Sequence, residues 1–318
     1  MTLEALGWSP QRQEAFATYA SDGLLPGRVV GEHRTHFQVA TDVGELSATI
    51  TARHRKEAAQ RSDLPGVGDF VAVRLSGDDG KASIEAVLPR TTAMVRKAAG
   101  EQRPQLIAAN IDIIFIVTAL DRDFNLQRLE RYLALVRDSG AEPVIVANKS
   151  DLPHDAPETT GKIADIAPDV PVHSISARGA NGIAQLEPYF GGNRTIVLVG
   201  SSGVGKSTIT NQLLGRDAQA TQDVRTHDSR GRHTTTHRQL FVRPQGGAII
   251  DTPGMRGLEQ WIETASIDPF VEDIEAIALN CKFRNCRHDS EPGCAVRAAI
   301  ASGELDAARV LPLLRGAR

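Results

Sequence analysis

Aromatic residues, cysteines and long apolar runs are all scarce in this chain of 318 residues: aromatics make up 4% of it, and only three cysteines occur. All three lie between Cys281 and Cys294, so they cannot form a disulfide framework across the chain, and their clustering indicates a metal site instead. The longest clear apolar run, residues 113–120, falls far short of the roughly 20 residues that cross a bilayer. We therefore expect no membrane-embedded segment and no membrane partner.

No charge of one sign dominates, because 36 basic and 39 acidic side chains give a formal net charge of −3. This balance excludes a polybasic nucleic-acid binder, so any nucleic-acid partner must be met by local patches. Residues 1–20 have neither a basic start nor an apolar stretch and do not resemble a secretory signal. We therefore expect a cytoplasmic protein, and the chain length predicts two or three domains.

The pattern of the chain changes twice. Short alternating strands separated by turn glycines occupy residues 26–89 and predict a small antiparallel β-barrel. From Ile111 onward, apolar strands alternate with amphipathic helices, which predicts a parallel sheet in an α/β domain. After about Trp261 the strands stop, and short helices surround the cysteines. We assign a barrel with a linker to residues 1–104, the α/β domain to 105–262 and a mainly helical module to 263–318.

Two basic clusters accompany the barrel. The first cluster lies between two predicted strands, in an expected exposed loop, and contains Arg53, His54, Arg55, Lys56 and Arg61. The second cluster follows the barrel and contains Arg90, Arg96, Lys97 and Arg103. Solvated surface charge is the commoner origin of such clusters. A role in binding phosphates stays open beside it.

A phosphate-binding loop is the most specific motif of the chain. The run Gly200-Ser-Ser-Gly-Val-Gly-Lys-Ser207 fits Gly-x4-Gly-Lys-Ser, and it follows an apolar strand and opens a helix, as this motif requires. The glycines let backbone N–H groups surround the phosphates, Lys206 reaches the β and γ oxygens, and Ser207 offers a hydroxyl to Mg²⁺. The predicted contacts to the nucleotide from this loop are Gly200, Ser201, Ser202, Gly203, Val204, Gly205, Lys206, Ser207 and Thr208.

A second motif predicts which base is bound. The run Asn148-Lys149-Ser150-Asp151 follows a buried strand at residues 143–147, at the sheet edge where open α/β folds bind ligands. The Asp151 carboxylate can accept two hydrogen bonds from the N1–H and 2-amino groups of guanine, which adenine cannot offer. Ser176 and Ala177, after the next strand, are expected to complete the pocket. We predict that these residues, with Asn148 and Lys149, bind guanine.

Residues that respond to the γ-phosphate are expected further along. Asp251 and Gly254 form the motif Asp-x-x-Gly. Asp251 is predicted to lie near Mg²⁺ without binding it directly, and the Gly254 N–H is predicted to lie near the γ-phosphate. Between them and the phosphate loop lies a basic and hydroxyl-rich interval, from which Thr235 is predicted to contact Mg²⁺. Met255 stands where Ras-like proteins carry the water-orienting glutamine, so we expect slow intrinsic hydrolysis.

The cysteine cluster has the spacing of a metal site. Cys281-x4-Cys286-x-His288-x5-Cys294 offers three thiolates and one imidazole, the Cys₃His set of a closed tetrahedral site, which favours a structural Zn²⁺. Lys282, Arg284 and Arg287 lie between these ligands. Cations projecting from a small zinc module are suited to phosphate contacts.

The order of the motifs indicates a rearranged domain. In Ras-like GTPases the phosphate loop precedes the guanine motif, whereas here residues 148–151 precede Gly200 and no second Asn-Lys-x-Asp follows it. We therefore predict a circular permutation. The segment after Asp251 then leads directly into the C-terminal module, so we expect the nucleotide state to be transmitted to that module.

Together these motifs closely resemble the bacterial ribosome small-subunit-dependent GTPase A family, which consists of circularly permuted GTPases. The resemblance rests on the motifs above and on three further runs: Arg96-Lys-Ala-Ala-Gly100, Ile107-Ala-Ala-Asn110 and Gly231-Arg-His-Thr-Thr-Thr236. It implies that the barrel is an OB-fold and that both flanking modules touch ribosomal RNA. It also implies GTP hydrolysis during late maturation of the small subunit, stimulated by that subunit, with His233 as a catalytic residue.

The resulting hypothesis is a monomeric GTPase that binds GTP and GDP. It binds the small ribosomal subunit and its 16S rRNA in the GTP state and is released when GTP is hydrolysed. Its expected catalytic residues are His233, Thr235 and Lys206, and its expected metals are Mg²⁺ with GTP and one Zn²⁺. Two alternatives stay open: a GTP-binding RNA adaptor with decayed catalysis, which intact Lys206 and Asp251 disfavour, and an ATP-dependent P-loop enzyme, which Asp151 disfavours.

Overall fold

The computed structural model divides the chain into two compact units, Met1–Ile262 and Glu263–Arg318. It describes residues 2–58, 60–77, 80–96, 105–121, 124–152, 156–215, 238–251, 277–283, 286, 288, 291–302 and 305. None of the helices in these ranges has both the length and the apolar character that a membrane span requires.

Five strands of the first unit form a closed barrel. They are β1 (Leu25–Glu32), β2 (Phe37–Thr41), β3 (Gly44–Ile50), β4 (Phe70–Leu75) and β5 (Lys81–Val87). They pair in the order β1-β2-β3-β5-β4, and β4 returns to β1. The β3–β5 pair is parallel, and the remaining pairs are antiparallel. The predicted barrel is confirmed, and its strand order is that of an OB-fold.

Two helices of the barrel region differ from the sequence-based expectation. Residues 52–57, predicted to be a loop, form the helix α2 (Ala52–Glu57), because the Thr51 hydroxyl accepts a hydrogen bond from the His54 N–H at 3.2 Å and caps it. Its arginines remain exposed, and Arg53 pairs with Glu57 at 2.8 Å. The helix α1 (Pro10–Ala20) had no predicted counterpart, since Phe16 is its only buried residue and periodicity is therefore weak.

A hairpin follows the barrel and precedes the α/β sheet. Its strands are β6 (Ala93–Arg96) and β7 (Gln105–Ala109), which pair antiparallel. The proposed domain boundary between residues 104 and 105 falls immediately before β7 and so separates the two strands of this hairpin. Arg90 lies just before β6, and it is largely buried rather than part of a solvated cluster: its guanidinium makes two 2.7 Å hydrogen bonds to the buried Asp69 carboxylate. Burial raises the pKa of Asp69, and the Arg90 pairing opposes that rise.

The α/β part of the unit has the predicted parallel sheet. Its strands are β8 (Ile113–Ala119), β9 (Glu142–Asn148), β10 (Val172–Ser174), β11 (Thr195–Val199), β12 (Arg238–Val242) and β13 (Ala248–Asp251). Their spatial order is β10-β9-β8-β11-β13-β12, with only β12 antiparallel to its neighbour. Helices α3 (Leu126–Ser139), α4 (Ala156–Ile166), α5 (Ala180–Ala184) and α6 (Lys206–Leu214) connect or follow these strands. Because β11 lies at the centre, the loops after β8, β9 and β11 meet at one edge of the sheet.

The barrel and the α/β sheet are hydrogen-bonded to each other through β1 and β12. These strands pair antiparallel, with Gly31 opposite Gln239 and Glu32 opposite Arg238, which makes one sheet of 11 strands. The Arg238 guanidinium donates to the Glu32 carboxylate at 3.3 Å and to the Leu106 carbonyl at 2.8 Å. A movement of β12 would therefore act directly on the barrel.

A buried arginine strengthens this junction. Arg28 of β1 is 1% exposed, and its guanidinium donates to the carbonyls of Leu6, Gly68 and Asn110 and to the hydroxyl of Thr195. Burial lowers the pKa of Arg28 to about 9, so the side chain is charged at neutral pH. Since Thr195 begins the strand that leads to the phosphate loop, Arg28 connects the barrel to that strand.

The second unit is described in part. It contains the helix α7 (Ala295–Ser302) and a small apolar cluster that includes Cys294, Val296, Ala299 and Leu305. Two metal-ligand candidates, Cys281 and Cys286, pack against this cluster. The apolar core and the cysteine cluster are thus adjacent.

Candidate nucleotide-binding site and metal cluster

The phosphate loop has the backbone that its glycines allow. Gly200, Gly203 and Gly205 have φ angles of 142°, 79° and 105°, a region that side chains disfavour. A Cβ atom on Gly200 would lie 2.1 Å from the Val117 carbonyl oxygen, so no larger residue fits there. The loop therefore depends on glycine both for its conformation and for its contact with β8.

Lys206 and the start of α6 provide positive charge to this loop. The Lys206 ammonium donates to the carbonyls of Gly200 and Ser201 at 2.6 and 2.7 Å, which places it over the loop. Ser207 follows on the first turn of α6 and is exposed. The N–H groups of this turn and the helix dipole favour an anion, so the arrangement fits a polyphosphate.

Asn148 connects the phosphate loop to the guanine motif. Its side chain is buried at the end of β9; the amide N–H donates to the Val204 carbonyl at 2.8 Å, and the amide oxygen accepts from the Ala177 N–H at 2.9 Å. A Cβ atom on Gly205 would lie 2.2 Å from this amide nitrogen. One side chain thereby fixes the phosphate loop against the segment that contains Ser176 and Ala177.

The remaining guanine-motif residues lie on the same edge. Lys149 has a left-handed backbone, with φ of 66°, and its ammonium pairs with the Asp121 carboxylate at 2.7 Å. The Ser150 N–H donates to the Ile175 carbonyl at 3.0 Å, which holds the turn that presents the exposed Asp151. A carboxylate in this position is accessible to a base.

Ser176 and Ala177 are held from two sides. Besides the bond to Asn148, the Ala177 carbonyl accepts a hydrogen bond from the Gln212 side chain of α6. Ala177 is buried, whereas Ser176 is partly exposed. The motif analysis missed Gln212 and also Asp121, although Asp121 follows β8 at the edge where the other motifs lie, and that position was an available signal.

The residues that were predicted to respond to the γ-phosphate are described in part. Asp251 is the last residue of β13, next to the central strand β11, and is partly exposed. His233, Thr235 and Gly254 lie outside the described residues, so their roles stay predictions.

The four cysteine-cluster residues converge as their spacing predicts. The ligand atoms of Cys281, Cys286, His288 and Cys294 all lie within 4.8 Å of one another. The Cys281 sulfur is 3.9 Å from the Cys294 sulfur and 3.5 Å from Nδ1 of His288. Ligands at about 2.3 Å around a tetrahedral Zn²⁺ would be about 3.8 Å apart, so the donor set and its spacing fit this metal.

Backbone N–H groups face the sulfurs of this cluster. The Ala295 N–H donates to the Cys281 sulfur at 3.3 Å, and the Arg297 N–H donates to the Cys294 sulfur at 3.4 Å. Burial would raise the pKa of Cys281, but hydrogen bonds from the Val296 and Ala295 N–H groups and the neighbouring thiols bring it below the usual value. These contacts favour the thiolate of Cys281, the form in which cysteine binds a metal.

A phosphate loop on a central parallel strand, with a guanine motif that precedes it in the chain, defines a circularly permuted P-loop GTPase. The sequence profile described as RsgA GTPase matches residues 87–261. This chain belongs to the RsgA GTPase family and is a GTP-hydrolysing enzyme.

Individual relatives are similar over most of their length. The small ribosomal subunit biogenesis GTPase RsgA of Opitutus terrae is 46% identical over 97% of this chain and 87% of its own. RsgA 2 of Lactiplantibacillus plantarum is 46% identical over 91% of this chain and 81% of its own. These values show that the likeness extends beyond the region of the profile.

Solved structures share the fold. The crystal structure of YjeQ from Thermotoga maritima has a TM-score of 0.60 at 24% identity and covers 92% of this chain and 98% of its own. YloQ, described as a circularly permuted GTPase, has a TM-score of 0.56 at 24% identity. The match covers 92% of this chain and 94% of the YloQ chain. The permuted arrangement of the α/β domain is thus confirmed.

Proposed function

We propose that this protein hydrolyses GTP while it assists the late assembly of the small ribosomal subunit in the cytoplasm. It binds the subunit and its 16S rRNA in the GTP state, and hydrolysis releases it. The observation that carries this proposal is the full-length likeness to proteins named small ribosomal subunit biogenesis GTPases. It acts as a monomer.

Different residues of the chain bind the phosphates and the base of GTP. Lys206 and the N–H groups of the phosphate loop neutralise the β and γ oxygens, and Asp151 accepts from the guanine edge. Asn148 keeps these two groups at a fixed separation through its bonds to Val204 and Ala177. Recognition of the base and of the phosphates is therefore coupled through one buried amide.

Two metals are part of the proposal. Mg²⁺, when bound with GTP, neutralises phosphate charge, and Ser207 and Thr235 would hold it with Asp251 nearby. Zn²⁺, when bound, cross-links the second unit through Cys281, Cys286, His288 and Cys294.

The sheet junction supports a nucleotide-dependent change in the barrel. The strand β12 lies in the chain between Thr235 and Asp251, the two residues expected to respond to the γ-phosphate. This same strand pairs with β1 of the barrel. Ordering of residues near Thr235 by GTP therefore acts on β12 and, through Glu32 and Arg238, on the barrel.

The barrel offers cations for RNA phosphates. The α2 helix exposes Arg53, Arg55 and Lys56, and the loop between Cys281 and Cys294 adds Lys282. Each cluster alone makes few phosphate contacts, but two tethered sites on one RNA gain through effective concentration.

The proposal is tested by GTP turnover with and without purified small subunits. We expect subunits to increase turnover, and His233→Ala to keep GTP affinity within a few-fold while lowering stimulated turnover by roughly 10²-fold, because a positioned polar side chain must orient water where Met255 cannot. His227→Ala, in the same segment, serves as the matched control and should retain stimulation.

Two results would contradict this account. Turnover that small subunits leave unchanged would remove the proposed partner. Equal losses of GTP affinity and turnover in His233→Ala would make His233 a structural residue.

A further inference from the structure

Two exposed apolar side chains lie beside the metal cluster. Leu279 is 87% exposed and Phe283 is 42% exposed, and they flank the ligand Cys281 in the chain. Neither belongs to the apolar cluster formed around Cys294 and Val296. The Phe283 ring is thus not part of the described apolar cluster of the unit, and with Leu279 it leaves apolar surface accessible to a partner.

Backbone bonds fix the position of Phe283. Its carbonyl accepts a hydrogen bond from the N–H of Cys286 at 3.2 Å, and the preceding Lys282 N–H donates to the Gly293 carbonyl at 3.1 Å. The ring is therefore attached to a short loop between two residues of the metal cluster. Because the backbone is already held, only the side-chain dihedral angles of Phe283 are ordered on binding.

A cation accompanies the ring. The Lys282 ammonium lies 5.7 Å from the centroid of the Phe283 ring. The stem of Lys282 runs along Gly293, where a Cβ atom would lie 3.1 Å from the Cβ atom of Lys282. The ammonium group thus lies over one face of the aromatic ring, and the two groups are presented together.

This combination fits a nucleotide better than an apolar protein surface. A nucleotide offers a π-face for the ring and a phosphate for the ammonium, whereas an apolar partner would bury Lys282 without a counterion. Within an A-form duplex both faces of each base are covered by its neighbours, so a ring can stack only on an unpaired base.

We propose that Phe283 stacks on an unpaired base of the bound RNA while Lys282 contacts the adjacent phosphate. This inference rests on the proposed function, since that function supplies the RNA. It adds a residue that distinguishes single-stranded from paired RNA, which phosphate contacts alone cannot do.

The test uses the full-length, zinc-loaded protein and a single-stranded oligoribonucleotide containing 2-aminopurine, with a fully paired two-stranded duplex of the same composition for comparison. We expect the wild type to quench 2-aminopurine. Phe283→Leu, which keeps an apolar side chain but removes the ring, should weaken binding to the single strand about 10-fold and abolish quenching. Phe283→Trp should retain both, and the affinity for the duplex should be the same in all variants.

Controls separate this inference from misfolding and from the proposed function. Each variant is checked for zinc content, and Val43→Ala, which removes exposed apolar surface from the barrel, should bind as the wild type does. Single-strand affinity and quenching that are unchanged in Phe283→Leu, as a protein-docking role would give, would overturn the stacking role. An equal loss of affinity for the duplex would also overturn it. This assay needs no ribosome, so it can fail while subunit-stimulated turnover persists, and the reverse also holds.

Discussion

Cys286→Ser is expected to unfold the second unit while leaving GTP affinity within a few-fold of the wild type. The described apolar cluster of that unit is small, with four buried members. Structural Zn²⁺ sites contribute about 10–16 kcal/mol of apparent binding free energy, which in such a unit is folding free energy. Metal analysis should find one zinc per wild-type chain, and limited proteolysis should remove the C-terminal region of the variant first.

One result of the zinc analysis and proteolysis would contradict this expectation. Purified wild-type protein that contains no zinc and yet has a protease-resistant C-terminus would refute the metal assignment. GTP affinity, measured in the same preparation, controls for global unfolding, because the phosphate loop and guanine motif lie in the first unit.

Asp151→Asn should change the base preference from guanine to xanthine. The carboxylate accepts two hydrogen bonds from guanine, whereas the new amide donates to the 2-carbonyl of xanthine. Loss of this charge-assisted pair should weaken GTP binding by about 2–4 kcal/mol. Titration with fluorescent GTP and with xanthosine triphosphate measures the change in base preference directly.

A matched carboxylate provides the control for this change. Asp165 on α4 is exposed, and Asp165→Asn removes the same charge without touching the predicted pocket. It should bind both nucleotides as the wild type does. If Asp151→Asn also binds GTP normally, Asp151 does not contact the base.

Elements with strong local patterns were predictable from the sequence. The strands β8 and β11 are apolar except for one threonine each, and the structure has them at the expected residues. The end of α3 at Gly140, whose φ is 79°, also followed from a local signal. The helix α2 was wrongly predicted as a loop because its cap at Thr51 was overlooked and its charged residues show no apolar face.

Contacts between distant segments could not be read in this way. The pairing of β1 with β12 joins residues about 200 positions apart in the chain. Neither strand has a residue pattern from which its pairing partner could be predicted. Arg28 likewise looked like one charged residue among others, whereas four acceptors from separate segments surround it. Such positions depend on the assembled fold.

The candidate site likewise has a part that the sequence predicted and a part that depends on the assembled fold. The phosphate loop and the Cys₃His cluster are contiguous motifs, so residue types and spacing predicted both of them, and the four ligand atoms of the cluster do converge. The pairing of Asp121 with Lys149 and the bond from Gln212 to Ala177 required the three-dimensional arrangement. The assignment of individual residues to GTP stays a prediction.

Nucleotide-dependent binding to purified small subunits tests the central claim most directly. Pelleting of the full-length protein with subunits, at several salt concentrations, is compared in GDP and in a non-hydrolysable GTP analogue. We expect binding with the analogue and release with GDP, with an affinity that falls as salt rises and a shallower slope when Lys282 and Arg284 are reversed in charge. Equal binding in both nucleotides would contradict the switch, and binding that does not depend on salt would contradict the electrostatic contact.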